Sequence, residues 1–439
     1  MASVVQWAGT LEAIYARQSG GQLAWLYNPF RVAKIPGDDT PYRNRQKLLR
    51  ENEVSNISDV QLKTFLDSEV SSIPDKLKEV TRIFFGLLQA SFNNRWRQVI
   101  ALGLDAIDIW VSSIRDLEVP GWTSAGLASI IGFCIDIADR TESTSCLDDE
   151  METDGGCQNL QRILNGIRKH IGKFRGESDV SQIGVYTILL TESIRLCLKL
   201  NNPPMATAFL KTIPSQQLPP RSQRGPATRF KFYYGNLMLQ KEQFHEATDP
   251  LNWALAYCPS KSTQLRRQIL ACLIAAKIHC GYLPTRQLTE ANNLQHYDGI
   301  IEAIRTGNLH LFDATMSQHA QQFYAEGTTI CLNKSKLIAQ QTLCIRVYNW
   351  INKYTTIDAN SSQQAQTILV PDPPNIIHLN YFTAALRLSS QDDGIDAEET
   401  MCIIAHLIQQ GLIKGYIAWQ QCKLVLSKIN PFPSIVKTR

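Results

Sequence analysis

Apolar positions return every three or four residues in successive blocks along most of this chain. Leu77, Val80, Ile83, Phe84, Leu87 and Leu88 form one stripe, the period of an amphipathic helix. Asn93 and Asn94 interrupt it. Trp96, Val99, Ile100, Leu102, Leu104, Ile107, Trp110 and Val111 form the next stripe, Pro120 to Trp122 a turn, and Leu127, Ile130, Ile131, Cys134 and Ile135 a third. Such a succession of helices and short breaks predicts an α-solenoid. Before it, Trp7, Leu11, Ile14 and Tyr15 predict a first helix, residues 28–42 an irregular connection, and Val60 to Val70 a second helix.

The pattern continues beyond a gap. Thr141 to Gly156 is acidic and poor in apolar residues, which predicts a surface loop. Helical spacing resumes at Val185 to Leu200. Ile213 to Pro226 carries four prolines and predicts a semi-rigid connector with a positive tip at Arg221, Arg224 and Arg229. Phe230, Tyr233, Tyr234, Leu237 and Met238 then face Phe244, Ala247, Leu251, Ala254 and Leu255 across a turn at Lys241 to Gln243, a tetratricopeptide-like pair. Leu265 to Ile278, Tyr297 to Arg305, Leu309 to Phe323 and Leu332 to Tyr354 extend the stack, with Gly307 and Asn308 as a turn.

Near the C-terminus the period changes. After the breaker at Pro371 to Pro374, Ile376 to Leu388 predicts one helix. Asp396 is placed to cap another, with Glu398 and Glu399 in its first turn, an apolar stripe of Ile403, Ile404, Leu407 and Ile408, and Gly411 at its end. Ile413, Gly415, Ile417 and Trp419 alternate with Lys414, Tyr416 and Ala418, which predicts a strand. Leu424 to Lys428 predicts its returning partner. Helix followed by hairpin is the second half of a winged helix, and no strand is predicted before residue 413.

Composition sets outer bounds. The 439 residues allow a large core. The net charge of +4 is too small to argue for nucleic acid without clustering. The 11 cysteines contain no CxxC pair and predict buried, reduced thiols. The first residues lack a signal-peptide pattern, and no run is expected to approach a membrane span, so the expectation is a soluble, intracellular protein, in which the Asn333 to Ser335 sequon is incidental.

Catalytic motifs do not hold up. Gly166 to Lys173 is one residue too long for a phosphate loop and is followed by Phe174 where a magnesium-binding hydroxyl is needed. His245-Glu246 begins a zinc-protease motif, but position 249 is Asp. The eight histidines show no metal-ligand spacing. No cofactor, metal or catalytic residue is expected.

Charge clusters only at the end. Lys414, Lys423, Lys428, Lys437 and Arg439 lie in a stretch with no acidic residue after Glu399. In the hairpin reading, Lys414 and Lys423 flank Trp419 near the wing tip. Such lysines neutralise phosphates, and an aromatic can stack on a base; alternatively Trp419 caps the core and the lysines only solvate the module. The preceding helix offers His406, Gln409 and Gln410, with no Arg or Lys to read guanine.

The C-terminal segment resembles the end of a PCI domain. Gln410 to Ile417 and Leu424 to Pro433 are similar to one branch of that family: the PCI subunit of the nuclear-pore-associated, TREX-type transcription–export complex and its signalosome-associated paralogues. Lys231 to Gly235, Gly281 to Pro284 and Gly307 to Leu309 fit the same branch in the same order. The resemblance implies a mainly α fold, a right-handed α-solenoid of TPR-like helix pairs capped by a C-terminal winged helix. The regions would be 1–212, an N-terminal helical repeat; 213–370, the helical part of the PCI domain; 371–433, its winged helix; and 434–439, a basic tail. It further implies a non-catalytic nuclear mRNA-export subunit, or a signalosome- or proteasome-lid-like scaffold without RNA binding.

The implied partners are a SAC/GANP-type PCI scaffold, a small acidic Sem/DSS-type protein, and mRNA or other single-stranded nucleic acid. Lys414, Lys423, Lys428, Lys437, Arg439, Trp419, Arg221 and Arg224 are the candidate nucleic-acid contacts. Lys231, Arg266, Arg267 and Lys277 are candidate cradles for the acidic partner, and Phe432 a candidate contact to a second winged helix.

Overall fold

The computed structural model describes residues 2–29, 49, 51–148, 158–174, 180–211, 224–260, 262–360 and 375–433. The chain divides into two compact units, Met1–Tyr233 and Tyr234–Arg439. It is mainly helical, with a small three-stranded sheet near the C-terminus, consistent with a PCI helical repeat plus winged helix.

The first unit contains α1 (Ala2–Ala16), α2 (Gly20–Leu26), α3 (Glu51–Ser55), α4 (Asp59–Glu69), α5 (Asp75–Phe92), α6 (Trp96–Arg115), α7 (Ser124–Asp148), α8 (Gln158–Ile171), α9 (Val180–Lys199) and α10 (Pro203–Lys211). Its core is aromatic. Trp7 stacks on Phe84 with ring centroids 6.1 Å apart, and Tyr27 meets Trp110 edge-on at 5.1 Å. Polar groups within this aromatic core are partnered: the Tyr27 and Thr81 hydroxyls lie 2.6 Å apart, and Trp110 donates Nε1 to Thr123. Partnering is what makes burial of such groups tolerable.

Two expectations change in this unit. The acidic stretch from Thr141 is helical as far as Asp148. Glu142 explains its beginning: Oε1 accepts from the amides of Asn159 and Leu160, so it satisfies the start of α8 as well as belonging to α7. The run from Gly166, already rejected as a phosphate loop, starts within α8, where a Cβ on Gly166 would meet Leu104, and ends in the turn Gly172–Phe174. Finally, Gly121–Glu142 is long and apolar enough to cross a membrane by length and composition, contrary to expectation. In the fold this segment packs against α2, α6, α8 and α9.

Helix α11 (Arg224–Gln240) runs across the boundary between the units. Arg229, expected on a positive tip, instead reaches the buried Glu192 at 2.7 Å, beside Arg195.

The second unit continues with α12 (Phe244–Tyr257), α13 (Thr263–His279), α14 (Arg286–Ala291), α15 (Asp298–Thr306), α16 (Leu309–Gln318), α17 (Ala320–Glu326) and α18 (Thr329–Asn360). The expected helix from Leu309 to Phe323 is two helices, broken at His319. The tight seams use glycine where a side chain has no room. A Cβ on Gly235 would stand 2.6 Å from Leu251. Gly307 has φ +67° and lies against the backbone of Leu343, which is why the turn into α16 needs it.

The chain ends in β1 (Ile376–His378), α19 (Leu379–Ser390), α20 (Ala397–Gln409), β2 (Gly415–Ala418) and β3 (Lys423–Leu426). Strand order is β1-β3-β2, all antiparallel. β1 is a correction: Ile376 opens a strand, not a helix. Ile376, Ile377 and His378 pair with Val425, Leu424 and Lys423, a partner supplied from almost fifty positions away.

Candidate nucleic-acid and partner interface

The C-terminal module is built on a shared apolar core. Leu379 and Phe382 of α19, Ile404 and Leu407 of α20, and Leu424 and Leu426 of β3 are buried together. Asp396 caps α20 as its sequence suggests, accepting from the amide of Glu399 at 2.8 Å. Thr383 and Thr400 close the α19–α20 contact with a buried hydroxyl pair at 2.9 Å. Gly411, at φ +71°, ends α20.

Two side-chain clamps fix this module to the helices before it. The buried Gln341 of α18 donates Nε2 to the carbonyls of Leu412 and Pro433, at 2.9 and 2.8 Å. Ser389 of α19 accepts from the amide of Leu309 and donates to the carbonyl of Gly307. Phe432 also turns inward, its ring 5.3 Å from that of Tyr348. The structure thus places this expected partner contact, half-buried, in the seam with α18.

The sheet register decides what the wing displays. Ile377, Leu424 and Ile417 share one row facing the core. The opposite face has one row of Ile376, Val425 and Tyr416 and another of His378, Lys423 and Ala418. Tyr416 is 62% exposed, as is Trp419. Sequence reasoning missed Tyr416 and His378. The signal for Tyr416 was present, since it alternates with the core-facing Ile417.

Trp419 does not cap the core. Strand β2 stops at Ala418, and a 3-10 turn over Trp419–Gln421 throws the indole into solvent. The lysines are also arranged differently from expectation. Lys423 stands at the turn end of the hairpin, opposite Ala418 and next in the ladder to His378. Lys414 lies at the other, open end, where its amide donates to Pro431 and its carbonyl accepts from Ser427. The four residues of β2 separate them by about 14 Å at roughly 3.4 Å per residue. Lys428, exposed, lies toward the Lys414 end. Lys414 and Lys423 therefore do not flank Trp419; Lys423 alone accompanies it.

Helix α20 presents Cys402, His406, Gln409 and Gln410 to solvent, with Glu398 and Glu399 at its start. Between it and α18 runs a groove of about 430 Å³ lined by Lys334, Lys336, Gln340, Cys402 and His406. Its lysines are engaged, Lys336 with Asp313 at 2.8 Å and Lys334 with Glu242 at 3.3 Å.

The expected cradle for an acidic partner is not uniform. Arg267 pairs with Glu326 at 3.3 Å, and Glu326 also accepts from the Tyr297 hydroxyl and meets His296. Arg266 is exposed and reaches the carbonyl of Leu255, and Lys277 is half-buried on the same stripe of α13. Lys231 belongs to the first unit, where burial pushes its pKa down. Arg221, Lys437 and Arg439, and the side chain of Arg224, lie outside the described residues.

Comparison with known proteins gives a consistent family. The chain is 27% identical over 275 residues to PCI domain-containing protein 2 of Danio rerio, covering 63% of each protein. It is 31% identical over 206 residues to Enhanced ethylene response protein 5 of Arabidopsis thaliana, covering 47% of this chain and 46% of that protein. Protein CSN12 homolog of Gibberella zeae is 29% identical over 247 residues, 54% of this chain and 52% of its own. No family model matches. The chain spans about half the length of the curated relatives it matches.

Proposed function

We propose, from the premise that this chain belongs at moderate identity over about half its length to the PCI domain-containing protein 2 family, that it is a non-catalytic scaffold and nucleic-acid-binding subunit of a nuclear mRNA-export complex. One observation carries the nucleic-acid part. The outer face of the wing sets the exposed Tyr416 beside Lys423 and His378, with the exposed Trp419 in the turn next to them, and no acidic residue follows Glu399. Exposed rings stack on bases of any sequence and lysines neutralise phosphates, so this surface suits single-stranded RNA bound without base readout. The α20 face, lacking Arg and Lys, agrees with that absence of readout.

The scaffold part follows the family. The proposed partners are a SAC/GANP-type PCI protein and a small acidic Sem/DSS-type protein, and the proposed compartment is the nucleus at the pore. A second reading, a signalosome- or lid-like scaffold without RNA binding, is favoured by the polar, cation-poor α20 surface. Co-purification from cells separates the two: a SAC/GANP-type scaffold is expected with the chain, whereas recovery of lid-like subunits alone overturns the export reading. RNA binding is tested with Lys414, Lys423 and Lys428 changed to Glu. Loss of salt-dependent affinity for single-stranded RNA is expected, and unchanged affinity removes the wing as the contact.

A further inference from the structure

Helix α8 is the most one-sided surface in the first unit. Leu160, Ile163, Leu164, Ile167 and Ile171 are buried against its neighbours. The exposed side is Gln161, Arg162, Asn165, Arg168, Lys169 and Lys173. Between Gln158 and Phe174 there are four Lys or Arg residues and no Asp or Glu. Arg162, Lys169 and Lys173 fall at intervals of seven and four residues, one stripe spanning about 16 Å at 1.5 Å per residue.

The carboxylates facing this helix from α6 are largely committed. Asp108 is held by Lys169 and His170. Asp116 pairs with Arg115 at 2.8 Å, with Lys173 close enough to help keep its carboxyl below the usual range. Among the described residues, Arg162 and Arg168 form no ion pair. Arg162 and Arg168 are therefore the cations of this face left for an external anion, with Lys173 beside them.

The chemistry of the face selects the kind of anion. A protein partner needs an apolar or aromatic centre to bury, and this face has none. A nucleic-acid backbone needs only spaced cations and hydrogen-bond donors, here supplied with Gln161 and Asn165. We propose that α8 is a second contact for the phosphate backbone of single-stranded RNA, independent of the wing; the proposal rests on the reading of this chain as an RNA-binding subunit. Asp148, Asp149, Glu150, Glu152 and Asp154 precede the helix in sequence and are kept in every variant below.

The test uses the full chain, a fluorescent oligouridine RNA, and affinities measured across a salt series. The variants are Arg162→Gln/Arg168→Gln/Lys173→Gln, the wing variant Lys414→Gln/Lys428→Gln, and both together. Lys169 is left in place because Asp108 needs it. With about 0.7 of salt slope per phosphate on a single strand, the α8 variant is expected to bind with a slope shallower by about 2. The combined variant is expected to be shallower than either set alone, with thermal stability unchanged throughout. An α8 variant with wild-type affinity and slope, beside a weakened wing variant, overturns the α8 contact and leaves the wing reading standing. A wild-type chain that binds no RNA at any salt overturns both. An α8 variant that loses binding to a polyglutamate peptide but not to RNA assigns the face to an acidic protein and likewise overturns the proposal.

Discussion

The side-chain amide of Gln341 donates to the backbone carbonyl of Leu412 at 2.9 Å, joining α18 to the segment that leads into the wing. The same nitrogen reaches Pro433 on the far side of the hairpin, so one buried residue holds both ends of the β2–β3 unit. Replacing Gln341 with Leu leaves two carbonyls without that donor; the buried one of Leu412 costs about 1–3 kcal/mol as an orphan, and the half-buried one of Pro433, open to water, about 1 kcal/mol. The expected result is a stability loss of roughly 2–4 kcal/mol in denaturant titration, with faster amide exchange at Lys414 and Ser427. Unchanged exchange there would show that the clamp does not hold the wing.

Gly307 supports the same junction from the other side. Its positive φ and its contact with the Leu343 backbone leave no place for a methyl group, and its carbonyl accepts from Ser389. Gly307→Ala is expected to destabilise the second unit by more than about 1 kcal/mol, the ordinary strain of a left-handed alanine, because the clash adds to it. Denaturant midpoints measure this directly; a neutral substitution would mean that the turn relaxes.

These junctions also show what the sequence could reveal. The helices were legible because burial keeps an uninterrupted period, as in Leu77 to Leu88. The cap at Asp396 and the stop at Gly411 were legible because their chemistry is local. β1 was not: three residues are too few to show alternation, and their partner strand is distant in sequence. The continuation of α7 was hidden for the same reason, since Glu142 is held by the start of α8. The choice between an exposed and a core-capping Trp419 was open in the sequence, because the strand ends one residue before it and the turn sets its exposure. On the candidate surface, residue types were readable but their grouping was not, because Lys414 and Lys423 lie at opposite ends of the hairpin.

A pH effect follows from His279. Burial and the neighbouring His245 hold its pKa down to about 4, while the unfolded chain has the ordinary value near about 6.5. Between these values the unfolded state binds the extra proton. The contribution to stability is complete above about pH 6.5, declines as pH falls, and is fully lost below about pH 4. His279→Gln is expected to flatten the decline in denaturant midpoint over that window. An equally steep decline in the variant would place the titration elsewhere.

The wing offers a way to separate stacking from charge. Tyr416 and Trp419 are exposed rings, whereas Lys414 and Lys428 are exposed cations with no base-facing geometry of their own. Removing a ring that stacks costs about 1–3 kcal/mol per base but releases no counterion. Tyr416→Ala and Trp419→Ala are therefore expected to weaken RNA binding by a similar factor at every salt concentration, leaving parallel lines in a plot of log affinity against log salt. Lys414→Gln and Lys428→Gln are expected to change the slope, by about 0.7 for each phosphate no longer neutralised, and to converge with wild type at high salt. If the aromatic variants change the slope instead, the rings act by orienting lysines rather than by stacking. If neither pair has an effect, the outer face of the sheet is not where nucleic acid lies.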